Sequence, residues 1–157
     1  MANISSKVDF KLSYIGTISD KSGGVECKHG PTECMGNVIQ LCAAELYPDP
    51  KVYLPFAACL TNEYESIPEE EFVKGCALEH SIEFEKLNEC ASRDDGAHGE
   101  DLLRDSVNRT AEAGVKYSCT VRLSDKIRCI RDGGEWKNCP GGAKPADLIQ
   151  DIIQASK

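Results

Sequence analysis

The sequence predicts a mixed α/β domain with a helical middle, and three observations predict it. Apolar and polar residues alternate in VDFKLSYIG, Val8 to Gly16, as in a strand. Helix-start signals and helical periodicity then run through about residues 32–113. Finally, the β-rich runs KYSCTVRL and KIRCIRD flank a hairpin signal at SDK, and an apolar-faced helix closes the chain. The order is strand, helical block, hairpin, helix, with no internal repeat and no low-complexity segment. A chain of 157 residues holds one ordinary domain, and an apolar content of 41% is enough for a core.

Each element has a local reason. After the first strand, TISDKSGG reads as a loop. Thr32 is the expected N-cap of a helix through ECMGNVIQLCAAEL, where Val38, Leu41, Cys42 and Leu46 share a face. Asp49 before Pro50 reads as N-cap and first helical residue of the next helix, which Pro55 should shorten or kink. Ser66 stands three residues before Glu69, the spacing of a capping box. SIEFEKLNECAS and EDLLRDSVNRTAEA continue the helical block. GGEWKNCPGGAK reads as a turn-rich loop, and PADLIQDIIQASK as a helix with Leu148, Ile149, Ile152 and Ile153 on its apolar side. The acidic run EYESIPEEEF fits a helix N-terminus with a solvated face.

Charge and cysteine usage bound the function. A formal charge of -8 argues against nucleic acid and against an anionic membrane surface as partner. No stretch is long and apolar enough for a membrane span, and MANISSKVDFKLSYIG has no signal-peptide run. Nine cysteines point to a disulfide-bearing protein of the secretory or endosomal route, and an odd number leaves at least one thiol over. The competing reading is a set of buried free thiols. Asn3 and Asn108 each head a glycosylation acceptor pattern.

The densest cluster is CKHGPTECMGNVIQLC, Cys27 to Cys42. Zinc would use Cys27, His29, Cys34 and Cys42, but no C-x2-C knuckle is present, and Cys34 and Cys42 lie two turns apart on the expected helix. A cysteine nucleophile would pair Cys27 with His29 and orient it through Glu33, yet His29 beside Gly30 is more simply a turn residue. His80 and His98 read as exposed loop or helix-end histidines. A thioredoxin-type redox centre uses C-x-x-C at a helix start, and no C-x-x-C occurs. By residue chemistry the cluster is a set of structural half-cystines, with no metal and no cofactor.

The same stretch resembles the signature of the gamma-interferon-inducible lysosomal thiol reductase family, C-x-H-G-x2-E-C-x2-N-x4-C. Cys27, His29, Gly30, Glu33, Cys34, Asn37 and Cys42 meet every fixed position. Cys59, Cys76 and Cys90 stand where that family has its later cysteines, and NRTAEAGVKYSCTVRL looks like its link into the closing hairpin. The resemblance spans roughly residues 8–155 and is strongest to fungal members. It implies a single thioredoxin-like domain over 1–157 with a helical insertion at about 32–113. It also implies reduction of disulfide-bearing protein substrates in acidic endocytic compartments, vacuoles or outside the cell.

The family's catalytic cysteine pair lies upstream of the signature. Here the chain enters its strand at Val8, so the first strand, the first helix and that pair are read as missing. Three outcomes are open for the sheet: Val8 to Gly16 pairs with Cys119 to Leu123, a second chain fills the gap in a strand-exchanged homodimer, or the fragment is marginal. Thioredoxin-like folds carry a cis-proline before the third strand, and Ser118 or Cys119 takes that place here. Cys119 reads as a strand thiol packed in the core, or as a thiol that meets substrate. Cys129 and Cys139 flank a turn that a disulfide would close, with Trp136 packed beside it. Catalytic candidates on the chain are therefore Cys27, Cys34 and Cys119, and disulfide candidates are Cys42, Cys59, Cys76, Cys90, Cys129 and Cys139. The alternatives to a reductase are a redox-inactive, disulfide-stapled module and a small secreted disulfide-rich protein.

Overall fold

The structure is a computed structural model that describes residues 4–157, so Asn3 lies outside the described residues. Helices and two small antiparallel sheets make a mixed α/β chain, which divides into two compact units. One is Leu12–Arg109; the other is Thr110–Lys157 with the described residues before Leu12.

The first unit holds β1 (Thr17–Ile18), β2 (Val25–Glu26), α1 (Pro31–Leu46), α2 (Pro50–Asn62), α3 (Glu70–Glu79), α4 (Phe84–Ser92) and most of α5 (Ala97–Glu112). Its core is built on Phe56, Leu60, Val73, Leu87 and Leu103, each at most 2% exposed. Two disulfides run through this core, Cys42–Cys90 from α1 to α4 and Cys59–Cys76 from α2 to α3.

Several local expectations change. Val8 to Gly16 forms no strand; β1 begins only at Thr17 and pairs with β2. The reason is that α5 side chains take the segment's polar groups. Tyr14 N–H donates to Ser106 Oγ at 2.9 Å, and Arg109 donates to Leu12 O at 3.0 Å and Ser13 Oγ at 2.7 Å. Gly30, not Thr32, caps α1, because its φ of 97° suits glycine and Pro31 fits the first helical position. Asp49 caps α2 as expected, accepting from Lys51 N–H at 3.0 Å, but Pro55 leaves a full 13-residue helix. Burial of Tyr53, Phe56, Ala57 and Leu60 outweighs the one backbone bond that Pro55 denies. Ser66 makes no capping box: it ends a 3₁₀ turn, its carbonyl accepts Glu69 N–H at 2.8 Å, and α3 starts at Glu70.

The second unit contains β3 (Thr120–Leu123), β4 (Lys126–Asp132), β5 (Glu135–Lys137) and α6 (Pro145–Ala155). The sheet order is β3-β4-β5, so β3 is an edge strand and Val8 to Gly16 does not pair with it. Ser124 and Asp125, both at positive φ, form the two-residue turn between β3 and β4. β5 corrects the reading of GGEWKNCPGGAK as loop throughout. Gly133 and Gly134 have φ of 58° and 78°, a turn that returns Trp136 opposite Arg131, whose guanidinium lies 5.4 Å from the indole centroid. Arg128 is 6% exposed and ties β4 to α6 through Asp151 at 2.6 Å. In α6, Ile152 is buried and Leu148, Ile149 and Ile153 are half-buried, so its apolar side faces inward.

Candidate functional site

The turn between β2 and α1 brings the cysteine cluster together. α5 anchors the β1–β2 hairpin: Glu100 Oε1 accepts Val25 N–H at 2.7 Å, and Arg104 Nε donates to Gly23 O at 2.9 Å. From β2 the chain turns through Cys27, whose carbonyl accepts Gly30 N–H at 3.0 Å, and enters α1 at Pro31. Glu33, in the first turn of α1, reaches back to His29. One carboxylate oxygen lies 2.6 Å from the His29 backbone N and 2.8 Å from Nδ1. His29 is thus held by Glu33 as a turn residue at the helix entrance.

This turn places Cys27 against Cys34, one turn into α1, and the two form a disulfide with Cα atoms 5.6 Å apart. Asn37 follows Cys34 by three residues and is 8% exposed. Its Nδ2 points at Cys27 Sγ from 3.8 Å, while Cys34 Sγ lies 3.7 Å from Val25 O. Cys42 continues the helix into the core, where Cys90 takes it. Each fixed position of the motif therefore has a local role, as a disulfide, a turn, a helix cap, an amide on sulfur or a core staple.

Beside the disulfide opens a cleft of about 550 Å³, lined by Cys27 and Cys34 with Val25, Pro31, Met35 and Leu103 among its walls. Leu103 belongs to α5 and had no sequence signal joining it to the cluster. Both Cys27 and Cys34 are half-buried. Of the other bridges, Cys42–Cys90 is fully buried, whereas Cys59–Cys76 and Cys129–Cys139, the latter across the β4–β5 turn, each join a buried residue, Cys76 or Cys129, to a half-buried one. Cys119 is a free thiol. It is exposed rather than packed in the core, because it precedes the edge strand β3 and only its backbone is engaged, in paired hydrogen bonds with Arg131. The Ser118–Cys119 peptide is cis.

The four residues of the zinc alternative do not meet: Cys27 and Cys34 bond each other, Cys42 bonds Cys90, and His29 bonds Glu33. His98 is not a free helix-end group. Its side chain is 23% exposed, and Nε2 lies 2.7 Å from Glu45 Oε2 on α1, beside Cys90. His80, the C-cap of α3, is half-buried near Glu79 and Cys59. Cys90 beside His98 and Cys59 beside His80, the sulfurs that a metal ion at either place would need, are spent in disulfides. Asn108 is exposed on α5, while Thr110 of its acceptor pattern is buried. Among the described residues no helix is long and apolar enough to cross a membrane.

The family model described as Gamma interferon inducible lysosomal thiol reductase (GILT) matches residues 1–80, half of the chain, and covers the Cys27–Cys34 site with α1 and α2. The chain belongs to the GILT family. A curated relative, the GILT-like protein C02D5.2 of Caenorhabditis elegans, is 35% identical over 86 residues. That match takes in 55% of this chain and 25% of the relative, so the GILT-family segment seen here spans about a quarter of that protein. Within the matched residues lie the site's turn, its disulfide and Asn37, whereas Cys90, Cys119, Cys129 and Cys139 lie beyond them.

Proposed function

We propose that this GILT-family protein carries out thiol–disulfide exchange on disulfide-bearing polypeptides, with Cys27–Cys34 as the exchanging pair. The observation that carries the reading is accessibility. Cys27–Cys34 is a bridge whose two cysteines are both half-exposed, at the first turn of a 16-residue helix and in the wall of a cleft. Exchange needs an approachable sulfur and a stabilised thiolate, and a helix N-terminus favours the anion. Among the cysteines of this chain, this pair meets both needs. The reductase would begin with Cys27 and Cys34 reduced. One thiolate attacks a substrate disulfide to form a mixed disulfide, and the second thiol resolves it as the bridge reforms. A thioredoxin-like arrangement with a helical insertion, and work in an acidic endocytic compartment or outside the cell, belong to the same reading. Four disulfides support an oxidising route for the chain.

The second reading is a redox-inactive module stapled by disulfides. It is favoured by the absence of any C-x-x-C in this sequence and by the Cys42–Cys90 bridge, buried at both ends as a core staple. A disulfide-reductase assay on the isolated chain, at acidic and at neutral pH, separates the two. Turnover that is lost in both Cys27→Ser and Cys34→Ser supports the exchange reading. Turnover no higher than buffer at either pH sinks it and leaves the stapled module.

A further inference from the structure

The Cys59–Cys76 bridge stands beside two further groups that can ligate a metal ion. α2 brings Cys59, and α3 brings Cys76, Glu79 and, as its C-cap, His80. Cys59 Sγ, a Glu79 carboxylate oxygen and a His80 ring nitrogen all lie within 4.8 Å of one another, and Glu79 Oε2 is 3.9 Å from Cys59 Sγ. Ligand atoms on one tetrahedral zinc ion stand about 3–4 Å apart, so small side-chain rotations close this set around an ion. Cys59 and His80 are half-buried and Glu79 is exposed, which leaves the place open to an ion from solvent. The last carbonyls of α3 carry the negative end of its dipole, and they favour a cation here.

His80 also differs from the other two histidines. His29 is held by Glu33 and His98 by Glu45. Among the described residues, the His80 ring has no hydrogen bond or ion pair. The second cluster, Glu45, Cys90 and His98, is the weaker candidate. Both cysteines of its bridge are fully buried, and His98 already has its carboxylate.

We propose that Cys59, Cys76, Glu79 and His80 form a zinc site that the disulfide masks, so that the pair alternates between a bridge and a metal-bound dithiolate. A low-molecular-weight thiol opens the bridge. Two thiol molecules are oxidised to one disulfide, and Cys59 and Cys76 take up the two electrons and two protons as free thiols. A zinc ion displaces both thiol protons and binds the two sulfurs, the His80 imidazole and one Glu79 oxygen. Thiolate and imidazole ligands select zinc over calcium or magnesium. Reoxidation removes two of the four ligands and releases the ion. The ion thus keeps α2 joined to α3 while the bridge is open. Nothing in this depends on exchange at Cys27–Cys34.

The test uses the full chain and zinc chloride. Graded dithiothreitol is applied until peptide mapping finds Cys59–Cys76 open, and the reductant is then removed without air. Zinc is added before alkylation and a second mapping. One ion per chain is expected, with Cys59 and Cys76 shielded from alkylation about tenfold or more and Cys27 and Cys34 left reactive. His80→Ala should weaken zinc binding about tenfold or more, and Glu79→Gln should weaken it less. The oxidised form of each variant should keep the wild-type Tm, since neither side chain is in the core. If the opened chain unfolds, zinc is expected to refold it, read by circular dichroism. No shielding of Cys59 and Cys76, equal shielding of Cys27 and Cys34, unchanged affinity in His80→Ala, or an opened chain that zinc does not refold overturns the proposal.

Discussion

A methyl group at Gly99 would stand 2.6 Å from Val38 Cγ1, closer than any carbon tolerates. Glycine inside a helix ordinarily costs about 1 kcal/mol against alanine, so Gly99→Ala should stabilise α5 if nothing opposed it. Val38 is 8% exposed on α1 and packed into the core, so packing decides the sign. Gly99→Ala is expected to destabilise the protein by about 1–3 kcal/mol, measured by urea unfolding. Tyr14 makes a second prediction. Tyr14 is half-buried against the core and its hydroxyl donates to Gln40 Oε1, and desolvation first, then the nearby Tyr53, push its pKa well above the usual phenol range. Native Tyr14 keeps its proton where the unfolded chain loses it, so stability should fall as pH rises above about 10. Tyr14→Phe should flatten that fall in unfolding curves collected across the alkaline range. Neither effect was legible beforehand, since the partner residues lie far along the chain, Val38 from Gly99 and Gln40 from Tyr14. His98 is another such case: its Glu45 contact joins α5 to α1 across the fold.

At the scale of elements, the bridges differ in the length of chain they close. Cys42–Cys90 spans 48 residues, Cys59–Cys76 spans 17 and Cys27–Cys34 spans 7. Loop-closure entropy then assigns them about 4, about 3 and about 2 kcal/mol. Replacing each pair by alanines should lower Tm in that order, with Cys42–Cys90 the most damaging because both its sulfurs are also buried in the core. Under graded dithiothreitol, Cys27–Cys34 should open first and Cys42–Cys90 last, as read by alkylation and peptide mapping. Helices were the legible elements, since their caps and periodicity are local: Asp49, Pro50 and the apolar side of α6 stand where the sequence places them. Strands were less so. Val8 to Gly16 has strand composition, but a strand needs a hydrogen-bonded neighbour and this segment meets α5 side chains instead. β5 exists because two glycines at positive φ turn it back onto β4, a signal that is present but reads equally as loop.

At the scale of the whole molecule, all nine cysteines fall among the described residues, eight in bridges and Cys119 free. Native protein should therefore react with one equivalent of a thiol reagent, at Cys119 by mass spectrometry, and with nine after reduction in denaturant. Two or more reactive thiols in the native, unreduced protein would contradict this pairing. By itself the sequence determined the family, because the seven-position motif is a matter of local spacing. It also determined the helical middle and the acidic, cysteine-rich character, since capping, periodicity and charge are properties of neighbours along the chain. The Cys129–Cys139 bridge was also legible, since it closes a short turn, but only the tertiary structure decided how the other cysteines pair, that Cys119 faces solvent, and that Asn37 lies on the Cys27 side of its bridge. Those outcomes depend on burial and on contacts between residues distant in the chain, and no local spacing carries that information.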